Sequence, residues 1–83
     1  MPHCFADKEI EVEVDRQRKL RSFFWRDRHQ TVAEIVDSWT LRILWWEGEV
    51  ARYYSQVMTT DLSVYTLFQC GKSQQWFMET ELA

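Results

Sequence analysis

Four side chains in this sequence have the chemistry of nucleophiles, general bases or soft-metal ligands: His3, Cys4, His29 and Cys70. None of them sits in a motif. A hydrolase needs a nucleophile with a base held beside it, and the only such adjacency is His3-Cys4, at the very start of the chain. A zinc set needs paired C-x-x-C or H-x-x-x-H spacing so that one turn supplies two ligands. That spacing is absent. A disulfide between Cys4 and Cys70 is not expected in a reducing compartment. Glu9, Glu11 and Glu13 recur at every second position, which describes a solvated strand face rather than two acids set in contrasting environments. The expectation is a protein without catalysis, metal or cofactor.

Binding chemistry is better represented. Trp39, Trp45, Trp46, Tyr53 and Tyr54 fall within 16 residues and are five of the chain's 13 aromatic side chains (5 Trp, 3 Tyr, 5 Phe). Rings bury a large area each, and they also make interface hot spots and base-stacking platforms, so the same residues suit a core or a binding face. A second cluster is electrostatic. Asp7, Glu9, Glu11, Glu13 and Asp15 form an acidic block, and Arg16, Arg18, Lys19, Arg21, Arg26 and Arg28 follow, six of the chain's 10 basic side chains. Two neighbouring strand faces could neutralise each other across a hairpin. Alternatively the basic block is a patch for phosphates, although a net charge of -3 is a poor start for a nucleic-acid binder.

These residues need a scaffold to position them. A chain of 83 residues is one domain, and one this small buries only roughly 60 to 65% of the surface its unfolded chain exposes, so most rings must serve the core. Two glycines and one proline leave no linker and no glycine-rich phosphate loop. The apolar run Ile43–Trp46 is far shorter than the roughly 20 residues that span a bilayer as a helix. The N-terminus lacks the charged-then-apolar order of a signal peptide, so a cytoplasmic protein is expected, with residues 1–8 a flexible tail.

Glu9 to Val14 alternates strictly between charged and β-branched residues, the period of a half-buried strand. Leu20 to Arg26 is aromatic and extended, with Phe23 and Trp25 on one side and Leu20, Ser22 and Phe24 on the other; Arg26 to His29 supplies a polar turn. Thr31 to Trp39 fits two patterns. Val32, Ile35, Val36 and Trp39 have helical spacing, whereas Ala33, Ile35 and Trp39 share one face of a strand, and a short turn after Trp25 favours the strand. Leu41 to Trp46 follows, closed by a turn at Gly48. Arg52 to Thr59, Ser63 to Cys70 and Gln75 to Leu82 read as three further strands, with turns at Thr60-Asp61 and Gly71-Lys72-Ser73. The predicted fold is all-β with at most one short helix: a small antiparallel meander of five to six strands, as a bent sheet or a partly closed barrel.

The succession Phe24-Trp25-Arg26-Asp27-Arg28, Val32-Ala33-Glu34-Ile35-Val36-Asp37-Ser38-Trp39, Trp45-Trp46-Glu47-Gly48-Glu49 and Arg52-Tyr53-Tyr54 resembles a bacterial family of small domains with no assigned activity. That family is itself similar to the tail segment of the catalytically inactive Y-family DNA polymerase homologues of bacterial damage-induced mutagenesis. The likeness covers about residues 9 to 80, and its most specific element is the Trp-Trp to Tyr-Tyr spacing. Where the family usually has a glycine turn, this chain has Thr59-Thr60-Asp61-Leu62. The resemblance implies a small β domain in a DNA-repair setting and no catalysis.

Two functions of different class follow. In the first, the domain is a protein-interaction or accessory module, docked on or within a repair polymerase assembly. Its contact centres on whichever of Trp46, Tyr53 and Tyr54 the fold leaves exposed, with Arg52 beside it. In the second, Arg16, Arg18, Lys19, Arg21, Arg26 and Arg28 hold single-stranded nucleic acid while an exposed ring stacks on a base. Trp45 and Trp46 must face opposite sides of any strand that contains both. Self-association through the first or last strand of the sheet is also expected, since a sheet has two edges to cover.

Overall fold

The computed structural model describes residues 8–45 and 48–82, and every regular element in them is a strand. No helix among the described residues is long and apolar enough to cross a membrane. The alternating stretch at the start divides at Glu11 into β1 (Glu9–Ile10) and β2 (Val12–Val14). β3 (Leu20–Trp25), β4 (Arg28–Trp45), β5 (Gly48–Thr59), β6 (Val64–Cys70) and β7 (Trp76–Leu82) follow. All pairings are antiparallel, in the order β1-β7-β6-β5-β4-β3-β2.

β1 and β2 are consecutive in the chain yet end that order on opposite sides, so the sheet curls until it nearly closes into a barrel. Backbone hydrogen bonds carry the seam: Met78 N–H donates to the Lys8 carbonyl and Phe24 N–H to the Glu11 carbonyl, each at 2.9 Å. One strand is thereby shared between two neighbours, which raises the expected five to six strands to seven. The strands expected at the open edges meet at this seam, where β1 pairs with Trp76 and Phe77 of β7. Of the tail expected over residues 1–8, Lys8 is tied down by its carbonyl; residues 1–7 lie outside the described residues.

Thr31 to Trp39 is extended, as preferred over a helix, because β5 offers a ladder along the whole of it, from Val32↔Thr59 to Trp39↔Tyr54. Two register shifts, between Val32 and Glu34 and between Ile35 and Asp37, alter which face each side chain takes. Ile35 stands opposite Val57 and Trp39 opposite Tyr54, so the two do not share a face as expected. A third shift passes from Glu13↔Ser22 to Val14↔Leu20 and skips Arg21. It turns Leu20 inward beside Phe23, where the alternation had set them apart. The β3–β4 connection is the two-residue turn Arg26-Asp27, both with positive φ (54° and 63°), the primed geometry that matches strand twist.

The enclosed face holds Ile10, Leu20, Phe23, Val57, Tyr65, Leu67 and Met78, with Val12, Trp25, Val32 and Trp76 at its margin. The opposite face carries a second cluster of Val50, Tyr54, Phe68, Cys70 and Phe77. There, ladder partners on four strands align as one aromatic row. Trp39 and Tyr54 stack at 5.4 Å with planes 3° apart, Tyr54 and Phe68 lie 5.1 Å apart, and Phe68 and Phe77 lie 5.2 Å apart. Cys70 ends this cluster, fully buried and disulfide-bonded. The expectation of reduced cysteines is corrected here. It rested on compartment alone, which carries no information about where a thiol is placed. Cys4, the other cysteine of the sequence, lies outside the described residues.

β3 covers β4 only from Arg28 to Thr31, and β6 covers β5 only from Arg52 to Met58. Beyond those limits β4 and β5 continue together as a two-stranded arm to Trp45↔Gly48. The β6–β7 turn braces its base. Gly71 N–H donates to the Ala51 carbonyl at 2.8 Å, and a Cβ on Gly71 would lie 2.9 Å from that same oxygen and 3.1 Å from the Tyr53 ring. Only glycine allows this approach.

Two substitutions test the packing. Phe68→Ala, on the outer row, should cost about 3–5 kcal/mol, as much as Phe23→Ala inside the barrel, because both rings are buried. Gly71→Ala should cost about 1–3 kcal/mol through overpacking against the arm. Urea unfolding of each variant reads both; an outer-row variant as stable as the parent would show that the second cluster does not hold the fold.

Candidate partner-binding site

The alternation along β5 settles how its aromatic and basic side chains divide. Tyr54 points to the outer row and is buried, while Tyr53 points the other way and is 47% exposed. Arg52 goes with Tyr54. Its guanidinium lies 4.5 Å from the centre of the Phe68 ring and donates to the Tyr54 hydroxyl at 3.2 Å. A guanidinium held over a ring and bonded to a phenol is a fixed part of the row. The site expected from Trp46, Arg52, Tyr53 and Tyr54 is therefore split: Arg52 and Tyr54 on one face, Tyr53 on the other. Trp46 lies outside the described residues, as does the Trp45 side chain, and with them the division expected between the two tryptophans.

Other β4 residues complete an exposed surface, of which sequence reasoning singled out only Trp39. On the Tyr53 face, Thr40 stands opposite Tyr53, Arg42 opposite Ala51 and Leu44 opposite Glu49. Leu44 is 82% exposed. On the other face Trp39 and Leu41 are 38% and 47% exposed. The apolar character of Leu41 to Trp46 does not reveal this exposure; it follows from where the β3 and β6 ladders stop among the described residues.

The basic block is also divided. Arg16, Arg18 and Lys19 lie in the β2–β3 connection with Arg21 beside them, whereas Arg26 and Arg28 sit at the far end of β3. Four strand residues lie between Arg21 and Arg26, which places the two about 17 Å apart along the strand. All six side chains are exposed. Asp15 organises the first group, accepting from the backbone N–H of Gln17 at 2.8 Å and of Lys19 at 2.9 Å. Near the second, Phe24 is 47% exposed, with its ring 5.0 Å from that of His29.

His29 and Ser22 share a carboxylate. The Ser22 hydroxyl donates to Glu13 Oε1, and His29 Nε2 lies 3.4 Å from the same oxygen. The serine proton is directed at Glu13 and not at the imidazole, so the histidine is not placed to act as its base. Comparison with known proteins finds no family model that matches this chain, no similar curated protein and no similar solved structure.

Three carboxyls are held below the ordinary carboxylate range: Glu13 chiefly by the Ser22 hydroxyl and then by His29, Asp15 chiefly by the Lys19 backbone N–H, and Asp61 chiefly by the Thr59 hydroxyl. A depressed folded pKa means that the unfolded chain binds more protons as pH falls past about 4, so the contribution is full above that pH and is lost on acidification through the folded values. The urea midpoint should be insensitive to these groups at neutral pH and fall in acid. Ser22→Ala should make the acid limb shallower by raising the Glu13 pKa; an unchanged limb would remove the hydroxyl as its cause.

Proposed function

We propose that this chain is a non-catalytic docking module that binds a protein partner through the exposed β4–β5 face that runs from Tyr53 out along the arm to Leu44, in the setting of bacterial DNA-damage tolerance. One observation carries the reading. Leu44 on the arm and Tyr53 just below its base are exposed on one face, and Tyr is a residue that interface hot spots favour. The Arg52 clamp on Phe68 and Tyr54 supports it by tying the arm's base to the barrel, so that the exposed face is presented on a rigid element. The resemblance to the tail of inactive Y-family polymerase homologues supplies the setting and the class of partner. A non-catalytic role is supported by the way Ser22 and His29 meet on one carboxylate. Cytoplasmic residence belongs to this reading.

Single-stranded nucleic acid remains the second reading, favoured by the exposed Phe24 ring near Arg26 and Arg28. Salt separates the two. Phosphate contacts give an affinity that falls steeply with salt, while an apolar contact barely responds.

Co-expression with an inactive Y-family polymerase homologue of the same host tests the first reading. The parent should co-purify with it, and Tyr53→Ala, which should change stability by less than about 0.5 kcal/mol, should lose it by at least about tenfold in affinity. Co-purification that Tyr53→Ala leaves intact would overturn this face as the site. Binding confined to oligonucleotides, with a steep salt slope that Arg26→Ala and Arg28→Ala reduce, would replace the reading with the second.

A further inference from the structure

We propose that the distal half of β4, Ser38–Leu44, pairs antiparallel with the same segment of a second copy of this chain, about a two-fold axis at Leu41. The surface is the outer edge of the arm and not the Tyr53 face, so the inference stands or falls independently of the partner-docking reading.

β4 is covered on one side along its whole ladder by β5, but on the other side β3 stops at Thr31. From Val32 onward that second edge has no strand beside it among the described residues, and its N–H and C=O groups are a template for another strand. The near half of this edge is spoiled for pairing by the register shifts between Val32 and Asp37, since bulges twist an edge away from a neighbour. From Asp37 to Trp45 the ladder is regular. The segment Ser38–Leu44 within it is about 24 Å long.

Chemistry selects the occupant. The segment has no lysine and no proline, the residues that usually guard an open edge. Its single charge, Arg42, has Glu49 of its own chain 3.4 Å away as a counter-charge. Trp39, Leu41 and Ile43 share one face, and a two-fold axis at Leu41 sets Leu41 against Leu41 and Trp39 against Ile43, apolar against apolar on that face, with Thr40 against Arg42 and Ser38 against Leu44 on the other. Neighbouring registers are worse. An axis at Arg42 opposes two guanidinium groups, and an axis at Thr40 or Trp39 draws Asp37 inside the paired segment against Ile43 or Leu41, whereas the axis at Leu41 leaves it beyond Ser38, at the end of the ladder opposite Trp45. A self-complementary strand of this kind is what an isologous interface requires, and it exists only in a second copy.

Sedimentation of the purified chain at about 10–100 µM should show a reversible monomer–dimer equilibrium, the range expected of an interface near the small end of the stable class. Leu41→Lys puts two ammonium groups directly opposite each other and should raise the dimer Kd by about tenfold or more. Where that variant fails to fold, cross-linking decides. Leu41→Cys should give a covalent dimer with a short bismaleimide, and Leu44→Cys should not, although Leu44 is far more exposed, because the axis sets the two copies of residue 44 about 20 Å apart along the strands. The unsubstituted chain serves as blank. A monomer at all these concentrations, a dimer that Leu41→Lys leaves intact, or cross-linking of Leu44→Cys as efficient as that of Leu41→Cys would each overturn the proposal.

Discussion

One short stretch, Lys8 to Val14, serves two neighbours at once, and the rest of the molecule depends on that double duty. Its first half pairs with the last strand and its second half with β3, with Glu11 as the joint. An antiparallel meander left to itself ends in two open edges. Here those edges meet across the bipartite strand, at Trp76 and Phe77 on one side and along β3 on the other, and the sheet nearly closes around its apolar face. The remaining uncovered backbone of β4 is then displaced to the arm, where the ladder with β5 outlasts its flanking strands. Closure at one place creates exposure at another.

Much of this was legible from residue order alone, for a physical reason. Strict alternation at Glu9 to Val14 has no helical explanation, and Thr60-Asp61 and Gly71 are where a chain of this composition must turn, so element type and most boundaries followed. What stayed hidden was register. The shift that skips Arg21 and the two between Val32 and Asp37 change a side chain's face without changing its type, and no residue signature marks them. Leu20 therefore moved inward and Trp39 parted from Ile35. The split of Tyr53 from Tyr54 follows from alternation and was readable; the attachment of Arg52 to Phe68 was not, because it needs the pairing of two strands separated by a turn. The Cys70 disulfide was missed for another cause, an argument from compartment standing in for one from geometry.

The outer aromatic row shows how a small domain can pack on both sides of one sheet. Phe68 and Phe77 are as deeply buried as the barrel interior, though they face away from it. Arg52 is the one charged group admitted to the row, and its ring contact and hydroxyl bond hold it there. The basic residues of the β2–β3 region meet a different fate. A hairpin sends the two ends of β3 to opposite ends of the sheet, so charges close in sequence become distant in space.

The turn at Arg26-Asp27 has a consequence for how the sequence can vary. Both residues occupy the left-handed region, which costs a residue with a Cβ about 1 kcal/mol or more and which asparagine or glycine would occupy with less strain. The arginine side chain returns part of that cost by lying 5.3 Å from the centre of the Trp25 ring. Backbone ease and side-chain contact are thus opposed at this tip. An Asn-Gly replacement relaxes the main chain and removes the lid over the indole, so the turn cannot be optimised for both.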